Sequence, residues 1–171
     1  SQIENGIGLA DVGTDHGYIP AYLITKGVIP CATACDIGRM PLLNAKKTAE
    51  KYGIDTEKAY VAGILHDIMK EETLEIQRLE IEADGTLMTP LEEHNKNVYH
   101  QMSGAAFVKN HLNIDDDDII GGIRYHTTGR AEMSVFEMII YLADFTSADR
   151  SYPDVEEMRR QTDNSLLDGM L

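Results

Sequence analysis

The chain has 171 residues, of which 43% are hydrophobic and 26% are charged, and its formal net charge at pH 7 is −14. This length suffices for one core of ordinary size, or for a small core with an appendage, and is short for two full domains. No apolar run is long enough to cross a bilayer, and the negative charge repels phosphate backbones, so we expect neither a membrane span nor a nucleic-acid partner.

The first third of the sequence predicts a β-α-β-α unit. Residues 7–13 form an apolar run that ends in glycine and predict a buried strand, and residues 15–26 predict a helix. Residues 31–37 predict a second short strand. A helix is predicted over residues 40–52, because Pro41 would stand in its first turn. The two cysteines lie close together in this apolar stretch rather than in a disulfide framework, so we expect a reducing, cytoplasmic environment.

After residue 53 the hydrophobic pattern becomes helical almost throughout. Asp55 is a candidate N-cap for the first of these helices. The pattern predicts helices at 55–69, 72–83, 98–112, 116–126, 132–147 and 153–161. The second helix has an alternative, since residues 79–83 alternate before Asp84-Gly85 as in a hairpin; we favour a helix that Gly85 ends. The acidic run at 115–118 is interpreted as helix capping and solvation rather than as a cation site.

Five side chains that can bind metals stand at separated points of the helical part: His66, Asp67, His100, His126 and Asp144. Two cations over a phosphate need a bridging carboxylate, terminal imidazoles and open positions for water. Asp67 is the natural bridge. His66 and Asp144 would complete one metal, whereas His100 and His126 would bind the other. A single histidine is more often a core or surface residue, but the ordered set predicts a binuclear divalent metal site and a metal-dependent phosphohydrolase.

Four strings carry a family resemblance: Leu-His-Asp within 62–70, Tyr-His-Gln within 99–106, Tyr-His-Thr-Thr-Gly-Arg at 125–130 and Tyr-Leu-Ala-Asp at 141–144. Together they resemble the bacterial HD-superfamily hydrolases that cleave diadenosine tetraphosphate symmetrically into two ADP. The resemblance covers roughly residues 46–171. It implies an HD-domain helical bundle and a binuclear metal site, with iron expected and manganese, cobalt or zinc as alternatives.

The same resemblance implies roles for side chains near the metals. Lys70, Thr128 and Arg130 would face the polyphosphate, where ammonium, hydroxyl and guanidinium groups can neutralise charge on phosphoryl oxygens. Asp67, Lys70 and Arg130 are the expected catalytic residues, and a small nucleotide is the expected partner. His94 and His111 stand among polar residues and are predicted to face solvent, and His16 has no comparable context.

One position departs from the family. The family carries a further histidine on the helix before the His-Asp pair, and the corresponding spacing here falls on Asp36 and Ile37. The first metal is therefore one ligand short, and Asp36 is the nearest substitute. Because neighbouring helix residues differ by about 100° in direction, a one-residue offset changes where a side chain points. Impaired metal loading, and a nucleotide-binding module without turnover, are therefore alternatives to the enzyme.

The first third resembles a different family. Residues 10–20 and 34–45 resemble the opening of the bacterial tRNA adenine-N1 methyltransferases of the S-adenosylmethionine-dependent Rossmann class. The resemblance implies that Asp11 and Gly13 lie at the cofactor turn and that Asp36 binds the ribose hydroxyls.

The remainder of such a methyltransferase does not follow in the sequence, since later strands and a catalytic motif are missing. We therefore predict a fusion with a methyltransferase-like segment at 1–53 and an HD domain at 54–171, sharing the helix at 40–52. A methyl-donor-binding fragment and an HD domain with a divergent N-terminus are the alternatives. The open strand edges of an incomplete α/β layer would favour a homodimer.

Overall fold

The computed structural model describes residues 9–12, 32–35, 39–148 and 150–171, and it describes side chains from residue 45 onward. Two short strands, β1 (Leu9–Val12) and β2 (Ala32–Cys35), pair in parallel. A parallel pair needs a crossover connection, which agrees with the predicted strand-helix-strand order. The helix predicted at 15–26 lies outside the described residues.

Contacts between residues divide the chain into two compact units, residues 1–39 and 40–171. The helix α1 (Arg39–Lys51) lies in the second unit apart from its first residue, and Ala49 is buried in the core of that unit. The domain boundary after residue 53, with this helix shared, stays a prediction.

The described residues of the second unit form helices joined by turns and loops, without a strand. After α1 come eight α-helices: α2 (Thr56–Leu65), α3 (Leu74–Asp84), α4 (Pro90–His94), α5 (Tyr99–Leu112), α6 (Asp117–Tyr125), α7 (Val135–Phe145), α8 (Val155–Asn164) and α9 (Leu166–Met170). A single 3₁₀ turn, Lys96–Val98, leads into α5. The mainly α fold predicted from the sequence is confirmed, and each of the six predicted helices is present with ends that differ by a few residues. The short helices α4 and α9 were not predicted.

Local capping explains where these helices begin and end. The Asp55 carboxylate accepts hydrogen bonds from the N–H groups of Glu57 and Lys58, so it caps α2 as predicted. Gly85 ends α3 in the left-handed region, with φ of 74°, which a residue without Cβ adopts at little cost. The alternation at 79–83 is therefore part of a helix and not of a hairpin.

The acidic run before α6 serves as a cap and as a tie to α2. The Asp116 carboxylate accepts from the N–H groups of Asp118 and Ile119. Lys58 lies 2.7 Å from Asp116 and 3.2 Å from Asp118 through its Nζ. The predicted capping role is confirmed, and the ion pairs hold α2 beside α6.

The core of the second unit lies between α2, α5, α6 and α7. Its buried members include Ala59, Ala62, Leu65, Ala105, Val108, Ile119, Ile123, Phe136, Ile139, Ile140 and Leu142. Glycine permits a close approach of α6 to α7, because a Cβ on Gly122 would lie 2.9 Å from Cε1 of Phe136. The tight packing fixes the helix ends relative to one another. Within the described residues, no helix combines the length and apolarity that a membrane span requires.

Leu142→Ala tests this core. Leu142 is only 1% exposed, and we expect the truncation to lower the free energy of unfolding by about 2–5 kcal/mol, because it removes buried methyl groups and leaves a cavity. Leu87, which is 91% exposed, provides a control of the same chemistry, and Leu87→Ala should change stability by less than about 0.5 kcal/mol. Urea unfolding measures both values, and equal losses would contradict this account of the core.

Candidate metal centre

The five residues predicted as metal ligands lie close together in the second unit. His66 and His126 directly follow the last residues of α2 and α6, and Asp67 comes next in the chain after His66. His100 lies in the first turn of α5, and Asp144 lies in the last turn of α7. Three of the four contributing helices thus present their C-terminal ends, where the backbone dipole favours positive charge.

Asp67 stands at the centre of the cluster and is 4% exposed. Its Oδ1 lies 3.4 Å from Nε2 of His100 and 3.3 Å from Nε2 of His126. Its Oδ2 lies 3.5 Å from Nε2 of His66 and 2.6 Å from Nζ of Lys70. A single carboxylate therefore touches all three imidazoles and one ammonium group.

The three imidazoles are oriented in the same way by their own helices. Nδ1 of His66, His100 and His126 lies 2.7, 2.9 and 2.8 Å, respectively, from the backbone carbonyl three residues earlier. Since a carbonyl only accepts, these contacts assign the proton to Nδ1, which donates, and leave the Nε2 lone pair facing the cluster. Metal-binding histidines are typically oriented by such bonds.

The cluster is rich in lone pairs and poor in protons. Nε2 of His100 and Nε2 of His126 are 3.2 Å apart, and the buried Oδ1 of Asp67 has no hydrogen-bond partner among the described residues. Converging acceptors in a buried place cost free energy unless a cation or a donor satisfies them. Imidazole nitrogens and carboxylate oxygens are also the donor set of zinc, iron and manganese sites. The residues present therefore fit divalent metal ions.

The pKa directions agree with this donor set. Burial lowers the pKa of His66, and burial together with electrostatic repulsion between neighbouring imidazoles lowers the pKa of His100 to about 4. His100 is therefore neutral at pH 7, the form that binds metals. Burial alone would raise the pKa of Asp67, but contacts with His126, His66 and Lys70 outweigh it and hold that pKa well below its usual range. The central carboxylate is therefore ionised.

Two overlapping groups of ligand atoms are present. His66, His126 and Asp144 form one, Asp67, His100 and His126 form the other, and within each group the ligand atoms lie within 4.8 Å of one another. The structure thus brings His66 together with Asp144 and His100 together with His126, the pairs that the sequence assigns to separate metals. His126 also lies within reach of the first group, which the sequence did not predict.

The residues predicted to face the polyphosphate differ in their surroundings. Lys70 joins the cluster through Asp67, and its side chain is 44% exposed. Thr128 is exposed in the turn after His126. Arg130 contacts other groups instead: its guanidinium pairs with the buried carboxylate of Glu137, with Nη2 3.0 Å from Oε1, and lies over the ring of Tyr125.

Two functional candidates escaped the sequence analysis. Gln101 is fully buried, and its Oε1 accepts from the N–H groups of Thr127 and Thr128, each at 3.2 Å. Its amide therefore holds the turn that carries the Thr127 hydroxyl, which lies 3.2 Å from Nε2 of His100. The signal available in the sequence was a polar residue directly after His100. The second is Arg150, whose Nη2 lies 2.5 Å from Oδ1 of Asp144.

The remaining polar candidates lie elsewhere. His94 is exposed, as predicted, whereas His111 is partly buried, and its Nε2 lies 3.0 Å from Glu80. Facing solvent was thus an incomplete description of His111, because α3 supplies a carboxylate beside it. His16 and Asp36 lie outside the described residues, as does Gly13, and the side chain of Asp11 is not described.

Comparison with known proteins adds family information to this geometry. Residues 42–149 match the model of the HD domain, and residues 1–80 match the model of a methyltransferase domain. A solved structure, that of a predicted HD superfamily hydrolase involved in NAD metabolism from Clostridium acetobutylicum, superposes with a TM-score of 0.74 and 30% identity. The superposition covers 89% of this chain and 79% of that one.

Curated relatives match both the HD domain and the methyltransferase-like segment. The chain is 35% identical over 127 residues to the symmetrical bis(5'-nucleosyl)-tetraphosphatase of Bacillus subtilis, covering 74% of this chain and 68% of that protein. It is 35% identical over 122 residues to the protein of that name from Halalkalibacterium halodurans, covering 69% and 63%. It is also 33% identical over 69 residues to the tRNA (adenine(22)-N(1))-methyltransferase of Bacillus subtilis, covering 40% and 29%.

The chain thus spans about two thirds of the length of these tetraphosphatases and less than a third of that methyltransferase. Both predicted resemblances, and with them the predicted fusion, are supported by these matches. With its His-Asp pair and the ligands around it, the chain belongs to the HD-domain hydrolases and is homologous to the symmetrical bis(5'-nucleosyl)-tetraphosphatases.

Proposed function

We propose that this protein is a metal-dependent phosphohydrolase that cleaves diadenosine tetraphosphate into two ADP. The strongest support is the convergence of three imidazole Nε2 atoms on the ionised, buried carboxylate of Asp67. That arrangement presents lone pairs without protons, as a divalent metal requires. The relatives named for this reaction supply the substrate class.

In this proposal Asp67 would contact both ions. His66 and Asp144 would help to hold one of them, and His100 and His126 would help to hold the other. When bound, such ions supply Lewis acidity toward phosphoryl oxygens and lower the pKa of a coordinated water. Iron is the expected metal, with manganese, cobalt and zinc as alternatives, because imidazole and carboxylate accept all four.

Three side chains are proposed to act on the substrate. Lys70 already lies at the central carboxylate, and its half-exposed ammonium can turn toward a phosphoryl oxygen. Thr128 offers a hydroxyl from the exposed turn after His126, and Arg130 offers a guanidinium beyond it. Each would neutralise negative charge on the polyphosphate as the leaving group departs.

We also infer the setting in which the protein acts. A net charge of −14 disfavours nucleic acid, so a small nucleotide is the proposed partner. The cytoplasm is the proposed compartment because the two cysteines are typical of a reducing environment. A homodimer is proposed because the sheet has two strands within the described residues, and the edges of so short a sheet could pair with a second copy. Sedimentation velocity of the purified chain tests the dimer, and a monomer at micromolar concentration would contradict it.

A turnover assay tests the proposed reaction. The protein is incubated with diadenosine tetraphosphate and Fe²⁺ under anaerobic conditions, or with Mn²⁺ or Co²⁺, and the nucleotides are separated by chromatography. We expect ADP as the sole nucleotide product, formed in twice the molar amount of substrate consumed. ATP with AMP would contradict symmetrical cleavage, and intact substrate with every metal, in a folded sample, would contradict the function.

Metal analysis separates the enzyme from a nucleotide-binding module without turnover. Two ions per chain support the enzyme, because both groups of ligands are then occupied. One ion or none would favour the binding module, since the spacing expected for the family histidine falls on Asp36 and Ile37.

The match of residues 1–80 to the methyltransferase domain supports a second candidate function, binding of a methyl donor. In this candidate Asp11, Gly13 and Asp36 contact S-adenosylmethionine. Calorimetry with S-adenosylhomocysteine measures it directly, and a titration to millimolar ligand that produces no heat would remove it.

A further inference from the structure

Arg150 lies in the loop after α7 and contacts both the carboxylate and the backbone carbonyl of Asp144, a candidate metal ligand. Its Nη2 lies 2.5 Å from Oδ1 of Asp144, and its Nε donates to the backbone carbonyl of the same residue at 3.2 Å. The side chain is 38% exposed. The guanidinium is therefore anchored at the cluster while it keeps a face toward solvent.

The loop that carries Arg150 is tied in place by α8. The guanidinium of Arg159 donates to the backbone carbonyls of Thr146, Ser147 and Arg150, at 3.0, 2.6 and 3.1 Å. The N–H of Arg150 also donates to the carbonyl of Ser147. These bonds fix the backbone from which the Arg150 side chain reaches Asp144, so its position is set before a ligand arrives.

The contacts of this guanidinium with the carboxylate and with the backbone carbonyl of Asp144 differ in kind. The backbone carbonyl of Asp144 remains an acceptor whatever occupies the cluster, whereas the carboxylate Oδ1 is one of the atoms that a cation would take. Once a cation holds Oδ1, the guanidinium stays anchored through Nε, and its Nη2 can turn to another oxyanion. A phosphate is the oxyanion whose geometry a guanidinium matches best.

Charge at the cluster favours the same ligand. Lys70 lies on the Asp67 carboxylate and Arg150 on the Asp144 carboxylate, so each carboxylate of the cluster carries one half-exposed cation. Arg130 differs in its partner, because the buried Glu137 that pairs with it is not one of the candidate metal ligands. In a chain of net charge −14, local cations of this kind are what a polyphosphate needs.

We propose that Arg150 is a phosphate-binding residue of this site, which contacts the nucleotide polyphosphate through its guanidinium after a metal ion has engaged Asp144. The identity of the nucleotide rests on the proposed function. Lys70, beside Asp67, and Arg150, beside Asp144, would then both contact the polyphosphate. Arg159 is a positioning residue that acts through the loop.

The test uses Arg150→Gln with Arg160→Gln as a matched control. Arg160 also pairs with a carboxylate, that of Glu157, but on the exposed side of α8. We expect Arg150→Gln to weaken ADP binding to the Mn²⁺-loaded protein by about 10- to 100-fold, the usual worth of a charge-assisted hydrogen bond. Calorimetry measures the affinity, and Arg160→Gln should leave it unchanged.

A second readout separates phosphate binding from structural support. Removing Arg150 frees Oδ1 of Asp144 from a competing cation, so the affinity of the metal-free protein for Mn²⁺ should stay the same or rise. Mn²⁺ and ADP affinities that fall together would overturn the proposal in favour of a structural role, as would unchanged ADP binding. If Arg150→Gln does not fold, Arg150→Lys serves, and it should bind ADP more weakly than the natural protein because it loses the fork of donors.

These binding measurements do not depend on turnover. A natural protein that binds ADP but leaves diadenosine tetraphosphate intact would refute the proposed function and still allow the Arg150 comparison. A natural protein that binds Mn²⁺ but not ADP would overturn the inference about Arg150 itself.

Discussion

Asp67→Asn is expected to reduce hydrolysis of diadenosine tetraphosphate by about 10³-fold, since metal ions supply several kcal/mol of charge stabilisation to such reactions. The carboxylate contacts Nε2 of all three imidazoles, and an amide places an N–H or a neutral oxygen where an ion needs a charged ligand. Bound metal should fall with activity. Initial rates and elemental analysis of the purified variant measure the two effects.

Asp115→Asn is the control for this substitution. Asp115 is exposed in the acidic run before α6 and is not part of the ligand cluster. The variant therefore removes the same charge without removing a candidate ligand. It should keep the natural rate and metal content. If Asp67→Asn retained a full pair of ions and more than a tenth of the rate, the bridging role of Asp67 would be refuted.

The metal-free protein is expected to lose stability as the pH falls from about 6.5 to about 4. The pKa of His100 is lowered to about 4 in the folded state, chiefly by burial, against about 6.5 for an unfolded histidine. Between these values the unfolded chain binds more protons, so acid favours unfolding, by about 3 kcal/mol in total. The lowered pKa of His66 acts in the same direction.

Urea unfolding of chelator-treated protein at a series of pH values measures the slope of the free energy of unfolding against pH. His100→Gln should flatten it, because the group that must take up a proton on unfolding is gone, whereas His94→Gln changes an exposed residue and should keep it. A slope that is identical in the natural protein and in His100→Gln would contradict the assignment. The lowered pKa of Asp67 produces a further loss only on the acid side of its usual range.

Local signals in the sequence predicted most of the helical fold. Asp55 caps α2 and Gly85 ends α3 because capping and left-handed turns depend on a few neighbouring residues. The boundaries were less exact, and α4 was missed. Its capping box of Thr89 and Glu92 is local, but the helix is only one turn long and carries little periodic pattern.

The candidate site divides in a similar way. The kinds of ligand and their order, from His66 to Asp144, were readable because donor chemistry belongs to each residue type. The pairing of His66 with Asp144 and of His100 with His126 was also predicted. The place of His126 beside both groups was not, because it depends on how α6 packs between α2, α5 and α7.

By itself, then, the sequence determined the helical class of this protein, several of its helix caps and the donor chemistry of its candidate metal ligands. These depend on residue identity and on neighbours within a turn or two. Only the tertiary structure decided which carboxylates the arginine side chains near the site pair with. Arg130 pairs with Glu137, whereas Arg150 reaches Asp144 from a loop that Arg159 secures. Such pairings depend on the path of the loops before and after α7, which the periodicity of the sequence does not predict.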